Sequence, residues 1–234
     1  MCQLSNANAV VSNQGLPWSR WIMPEMLMDN PVDCHDWLVI NDGTCQACDV
    51  PAIPDSPVEP YRLYRFLTDL EDILHATPDD TQRLVQIYPL VRRLLTSSYW
   101  LQLEFVNPPA KPGWSVRSLY KEHDFLLTLQ MVAWLPGNVS PIHNHGAWGV
   151  VALIGGQEKN QFWQRSPTPK HPDRIRLIGE KIFHPGDIVG FLPNAIHNVE
   201  PIGDQPAVTF NLYGVTDFSK RFEFDPIHHK ARKF

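Results

Sequence analysis

Three histidines carry the most specific chemistry this sequence offers. His143 and His145 stand one residue apart in Pro141-Ile142-His143-Asn144-His145-Gly146, and on a β-strand residues i and i+2 share a face. The pair alone reads two ways, as a metal clamp or as two polar residues on the wet side of a sheet. His197 lies in Asn194-Ala195-Ile196-His197-Asn198-Val199, after a Pro185-Gly186-Asp187 turn and a short apolar strand. In a jelly-roll barrel that strand runs close to the one carrying the histidine pair. Three imidazoles on one side of an ion leave adjacent coordination positions open, the layout with which a redox metal takes up a substrate and O₂ together. A histidine in place of the carboxylate of the two-histidine facial triad leaves the site more positive, which suits an anionic ligand such as a thiolate. Gly146-Ala147-Trp148-Gly149-Val150-Val151 contains no acid, and Glu158 comes only after the Gly155-Gly156 turn, so a fourth, carboxylate ligand is not expected.

The elements that must position these residues read as a mainly β chain with helices ahead of the strands. Residues 1–60 show little periodicity, and prolines at 51, 54, 57 and 60 break any regular element, so an irregular arm is expected. Over 61–113 a helical layer is expected: Leu63, Phe66, Leu67, Leu70, Ile73 and Leu74 recur at helical spacing, as do Leu84, Ile87, Tyr88, Val91, Leu94 and Leu95. Between these stripes Thr77-Pro78-Asp79-Asp80 offers an N-cap hydroxyl, a proline at the first helical position and acids in the first turn; Pro89 should kink or split the second helix. From about 114 to 224 short strands alternate with Gly and Pro turns, at Phe125–Leu135, Ala147–Ile154, Gln157–Arg165, Arg174–Phe183, Ile188–Leu192 and Ala207–Tyr213. In the last of these Val208, Phe210 and Leu212 point one way and Thr209, Asn211 and Tyr213 the other. Residues 225–234 read as a basic, solvated tail.

The 234 residues suffice for one large domain, and a net charge of −5 gives no basic face for nucleic acid. No apolar run approaches the roughly 20 residues of a membrane span, and the N-terminus lacks the basic flank and apolar core of a signal peptide. A cytoplasmic protein, monomeric or weakly homo-oligomeric, is the expectation.

With the histidine trio in hand, the sequence resembles the thiol dioxygenases, the cysteine dioxygenase family of cupins, over roughly residues 114–216. The segment SPIHNHGAWGVVALIGG is similar to the mercaptopropionate-type members, and PGDIVGFLPNAIHNV to the family's second motif with its single histidine ligand. The resemblance implies a cupin jelly-roll with Fe(II) on His143, His145 and His197, a small thiol substrate, and O₂ as co-substrate. It implies that Arg117, in Trp114-Ser115-Val116-Arg117, pairs with the substrate carboxylate, a contact that bidentate arginine geometry suits. It sets Ala207–Tyr213 on a strand that in the family reads Ser-x-His-x-Tyr, three polar residues in a hydrogen-bonded chain. Here Thr209 and Tyr213 keep the hydroxyls, but Asn211 replaces the histidine and takes no proton near neutral pH. Trp148 is expected as a pocket wall. The crosslinking cysteine of the animal enzymes has no counterpart at Trp148-Gly149-Val150.

Other candidates are weaker. Cys45-Gln46-Ala47-Cys48, with Cys34-His35 upstream, reads as a small zinc knuckle or as free thiols. His123, His184, His228 and His229 read as surface residues. Two further functions use the same three ligands: a cupin that binds or senses a small acid without turnover, and an oxygenase or isomerase acting on a non-thiol.

Overall fold

The computed structural model describes residues 35–48, 60–98, 100–101, 104 and 107–234. Cys2, Cys34 and the prolines at 51, 54 and 57 lie outside them. After a short hairpin, the described chain forms two helices, α1 (Leu63–Ala76) and α2 (Asp80–Ser97). Asp79 caps α2, its Oδ1 accepting from the Gln82 amide at 2.9 Å. The expected cap, Thr77, instead ends α1 with its amide donating to the Ile73 carbonyl at 2.9 Å, and its hydroxyl accepts from Gln86 Nε2 at 3.1 Å. Aspartate caps at least as well as threonine, so one residue can close a helix and the next acid open another. A single helix runs through Pro89 rather than two. Proline forfeits one helical hydrogen bond there, and full burial of the flanking Ile87, Tyr88 and Val91 offsets the loss.

The rest of the described chain is a two-sheet jelly-roll. One sheet has seven strands in the order β2 (Cys45–Cys48), β1 (Asp36–Val39), β9 (Ile188–Phe191), β6 (Gly149–Gly155), β11 (Ala207–Tyr213), β4 (Thr128–Trp134) and β3 (Trp114–Tyr120). The other has six: β13 (Lys230–Lys233), β12 (Phe222–Asp225), β5 (Ile142–His143), β10 (Ile196–Ile202), β7 (Gln157–Arg165) and β8 (Ile175–Phe183). The fold is mainly β, as the strand spacing predicts.

Residue parity decides which face of the larger sheet meets what. Leu129, Met131 and Ala133 on β4, Val150 and Ala152 on β6, and Val208, Phe210 and Leu212 on β11 pack outward under the helices, against Phe66, Leu70, Leu84, Tyr88 and Val91. The intervening residues, among them Val132, Val151, Thr209, Asn211 and Tyr213, line the barrel interior facing the smaller sheet. Because strand side chains alternate, a one-residue slip would exchange these two faces.

Two segments expected to be irregular are strands. Part of the N-terminal arm, Asp36–Cys48, is a hairpin whose first strand runs parallel to β9 and extends the larger sheet. Arg92 of α2 fastens it through Asp36 at 2.6 Å, and the Tyr88 hydroxyl donates to the Trp37 carbonyl at 3.0 Å. The C-terminal tail is the β12–β13 hairpin, which adds to β5. Its turn signal is Asp225-Pro226: the Asp225 Oδ1 accepts from the amides of Ile227 and His228 at 2.8 and 2.9 Å, and these bonds pull the carboxyl down to about 2. Lysine and arginine on an edge strand made the segment look like a solvated tail. Among the described residues no helix is long and apolar enough to cross a membrane.

The helical layer and the larger sheet share one core, so a cavity at their contact should be costly. Phe66 is fully buried, with Phe210 and Tyr61 edge-on to it at 6.3 and 6.4 Å. We expect Phe66→Ala to cost about 3–5 kcal/mol, seen as a lower urea midpoint at unchanged slope. A midpoint within error of wild type would show that the helices do not support the sheet.

Candidate metal centre

β5 is two residues long, and its position is set from both sides. His143 stands opposite His197 of β10 and opposite Glu223 of β12. Asn144, buried between the two histidines, ties the loop down: its Nδ2 donates to the carbonyls of Lys220 (2.7 Å) and Pro193 (3.3 Å), and its Oδ1 accepts from the Phe222 amide (2.8 Å). Gly146 follows with φ +63, and a Cβ there would sit 2.6 Å from the Asp217 carbonyl, so only glycine fits the turn without strain.

The three histidines meet. Their ligand nitrogens all lie within 4.8 Å of one another, and this is the one such cluster among the described residues. The Nε2 atoms of His145 and His197 are 2.9 Å apart. Two imidazoles sharing one ion at about 2.0–2.1 Å leave a spacing of that order when they meet it near a right angle. Hydrogen bonds set the tautomers. The Nδ1 of His143 donates to the Pro141 carbonyl at 2.9 Å, and the Nδ1 of His197 to Asn160 Oδ1 at 2.8 Å, which leaves both Nε2 lone pairs turned to the cluster. Burial holds all three imidazoles neutral, pushing His143 below the ordinary histidine range and His145 and His197 well below it, the latter two helped by repulsion from neighbouring histidines. Neutral, oriented and convergent nitrogens fit a metal ion of the kind imidazole binds: iron, zinc, nickel or copper.

A further chain reaches the site through Asn160. Its Nδ2 donates to Glu158 Oε1 at 2.8 Å, and Glu158 is only 5% exposed in the cavity wall. Burial raises the Glu158 carboxyl to about 7. Glu158 is not among the clustered ligands, in keeping with the three-histidine reading. It is, though, a cavity residue that the sequence hid: the turn at Gly155-Gly156 brings β7 back alongside β10, and even positions of β7 face in.

The cavity in front of the histidines measures about 520 Å³. Thr209, Asn211 and Tyr213 line it as an unbroken chain: the Tyr213 hydroxyl donates to Asn211 Oδ1 at 3.0 Å, and Asn211 Nδ2 donates to Thr209 Oγ1 at 2.8 Å. Asparagine thus keeps the connection that a histidine would make. The Tyr213 ring stacks on His145 with centroids 4.7 Å apart, over Gly149, where a Cβ would approach the ring to 2.5 Å. Burial and the nearby Glu158 hold the phenol far above its usual range, so it stays protonated.

Two expected site residues are elsewhere. Arg117 does not line the cavity; its side chain is 55% exposed and lies 3.3 Å from Glu104. Trp114 and Val116 of β3 face in, so parity turns Arg117 out. Trp148 is buried on the helix side of the larger sheet, with the Arg83 guanidinium 5.9 Å from its ring. It shares the outward parity of Val150 and Ala152. The cavity's cation is Arg221, on the loop entering β12. It is half-buried, its Nε has no hydrogen-bond partner among the described residues, and its guanidinium sits 4.2 Å over the Phe234 ring. Its charge depresses His143 and His145, so it acts on the same site. The resemblance pointed to Arg117, which lies outside the cavity lining, whereas Arg221 lies in it. Cys45 packs toward the barrel interior and Cys48 toward the helices, on opposite faces of β2, while Cys34 of the expected knuckle lies outside the described residues. Burial lifts the Cys45 thiol to about 11.

Removing the Asn160 amide should lower metal affinity without removing a ligand. We expect Asn160→Ala to bind zinc or iron about 10–100-fold more weakly in competition with a chromophoric chelator, and His145→Ala to retain no stoichiometric metal. Equal affinity in Asn160→Ala would mean the His197 tautomer does not depend on it. Glu158 predicts a pH effect in metal-free protein. Its folded pKa, about 7, exceeds the unfolded value near 4.5, so its full contribution is present below pH 4.5 and is lost as pH rises to 7. Glu158→Gln should therefore gain on wild type across that window, by up to about 3 kcal/mol. A pH-independent difference in urea titrations would contradict this.

No family model matches the sequence. Several solved structures are similar to the barrel. Oxalate oxidase in complex with glycolate is 13% identical, over 45% of this chain and 52% of that one, with a TM-score of 0.34. A cupin superfamily protein from Desulfitobacterium hafniense DCB-2 is 10% identical over 46% of this chain and 83% of its own, with a TM-score of 0.35. A cupin-like protein from Thermotoga maritima MSB8 is 16% identical over 54% and 82%, with a TM-score of 0.33. The match spans about half the length of the oxalate oxidase chain. The structural neighbours of this jelly-roll include cupin-superfamily proteins, and its interior holds a three-histidine site that could bind a metal ion.

Proposed function

We propose that the chain is an Fe(II)-dependent enzyme of the thiol dioxygenase kind, acting on a carboxylate-bearing thiol. The observation that carries this reading is one cavity holding three neutral imidazoles, an arginine in no ion pair among the described residues, an intact tyrosine-ended polar chain and, among those residues, no carboxylate clustered with the histidines. The reaction is R–SH + O₂ → R–SO₂H. Sulfur gives up four electrons, O₂ accepts all four, and no further reductant is required; the product is the sulfinic step of the thiol oxidation ladder. Iron held by His143, His145 and His197 would supply adjacent positions for thiolate and O₂.

The chain's own residues do the rest. Arg221 takes the role expected of Arg117 and holds the substrate carboxylate, an ion pair that a half-buried guanidinium stacked on Phe234 and in no ion pair among the described residues makes well. Tyr213 commits its proton to Asn211, so its oxygen meets the substrate as an acceptor and positions it rather than acting as a base. Glu158, with its carboxyl near neutrality, can hold the proton that the thiol gives up on binding. The committed Tyr213 proton also supports a second reading, a metal-binding cupin that holds a small acid without turnover.

Oxygen uptake by the iron-loaded protein separates the two. With cysteine, mercaptopropionate and mercaptosuccinate the first reading expects one O₂ consumed per sulfinate formed, and little with cysteamine, which has no carboxylate. Arg221→Met should raise KM on the order of a hundredfold, since it strands the carboxylate, with a smaller change in kcat. Ligand-perturbed metal spectra without uptake by any thiol would favour the second reading.

A further inference from the structure

We propose that the substrate has an apolar body behind its acidic head, larger than cysteine or mercaptopropionate, and that the β3–β4 wall of the cavity receives it. The inference deepens the reading above, because it takes Arg221 as the anchor for the head. It begins with size. The cavity holds about 520 Å³. Mercaptopropionate has six non-hydrogen atoms; even at a water's share of about 30 Å³ each they fill roughly 180 Å³. Well over half the space lies beyond such a ligand.

The lining of that space follows from the register. β11 pairs with β4 and β4 with β3, so rows of inward side chains run sideways from the polar chain to the sheet edge, each strand adding about 4.8 Å. The row that starts at Thr209 continues through Val132 to Val116. The row from Ala207 continues through Trp134 to Trp114, whose rings lie 6.0 Å apart. The row from Asn211 continues through Gln130 and, with Thr128, keeps that end of the wall polar, so the cavity is polar around the histidines, Asn211 and Tyr213 and apolar where Val132, Val116, Trp134 and Trp114 line it. At that edge Trp114 is 42% exposed and Val116 43% exposed. Large apolar side chains left open in the same cavity as a half-buried cation and a candidate metal site are a ligand surface rather than unfilled core. A carboxylate on Arg221 and an alkyl or aryl body on Val116, Val132, Trp114 and Trp134 satisfy both halves of the cavity at once.

The test needs binding alone. Zinc-loaded protein, which supports no oxidation, is titrated by calorimetry with propionate, butyrate, hexanoate and 3-phenylpropionate, and with 2-mercaptopropionate, 2-mercaptohexanoate and 2-mercapto-3-phenylpropionate. The proposal expects affinity to rise about fourfold per added methylene, the ratio for fully burying one CH₂, in both the thiol and the thiol-free series. It expects Trp114→Ala and Val116→Ser, both at exposed edge positions that tolerate change, to flatten that rise toward zero slope. A flat series in wild type, an equally steep series in both variants, or no binding by any acid overturns it. The thiol-free acids keep this result separate from the proposed reaction. A rise with chain length in an iron-loaded protein that consumes no O₂ would sink the dioxygenase reading and leave the apolar site standing. Turnover of mercaptopropionate with a flat series would do the reverse.

Discussion

Everything at the centre rests on keeping three imidazoles neutral, shielded from water and pointed at one place. Three charged imidazoles at this separation would repel strongly in a low-dielectric interior, and three neutral ones with wandering tautomers would not converge. The protein meets the first demand by burial and the second by fixing the outer nitrogens of His143 and His197 on the Pro141 carbonyl and on Asn160. Placement is a matter of register. A two-residue strand, β5, carries His143 opposite His197, and it is held there because β10 and β12 pair with it on either side while Asn144 bonds to three backbone groups around it. The segment that ends the sequence is thus part of the site's support.

The larger sheet divides labour by parity. Its outward residues form one core with α1 and α2, and its inward residues form the polar chain and the apolar wall. The same alternation that puts Phe210 against Phe66 puts Thr209 and Asn211 into the cavity. Stability and chemistry are in this way coupled through strand register, and a change that slipped β11 by one residue would expose a core and bury a site in the same step.

Much of this was legible in the sequence, for identifiable reasons. Ala207–Tyr213 announces itself by alternation and Gln157–Arg165 by its bounding turns, and their observed limits match. The histidine trio was legible as residue chemistry, although β5 ends at His143 and His145 lies in the loop beyond it, so the expected period-two strand face does not hold the pair; His197 was legible because a turn and a short strand precede it. What failed needed three dimensions. Arg117 satisfied a motif position, but one residue of parity sends it outward, while Arg221 had no local pattern to mark it. Trp148 was misplaced by the same rule. Glu158 was set aside for lying beyond a glycine turn, although a tight turn is what returns β7 to the neighbourhood of β10. The hairpin at residues 222–233 hid behind its charge, since edge strands are where lysine and arginine belong.

The central claim is that His143, His145 and His197 hold one ion and leave it room for a sulfur ligand. X-ray absorption of anaerobic, ferrous-loaded protein tests it most directly. The account predicts imidazole scattering from three histidines without a protein carboxylate or thiolate, and one sulfur neighbour on adding a carboxylate-bearing thiol, absent in His197→Ala. A site saturated by protein ligands, or one whose iron spectrum is unchanged by every thiol, would contradict it.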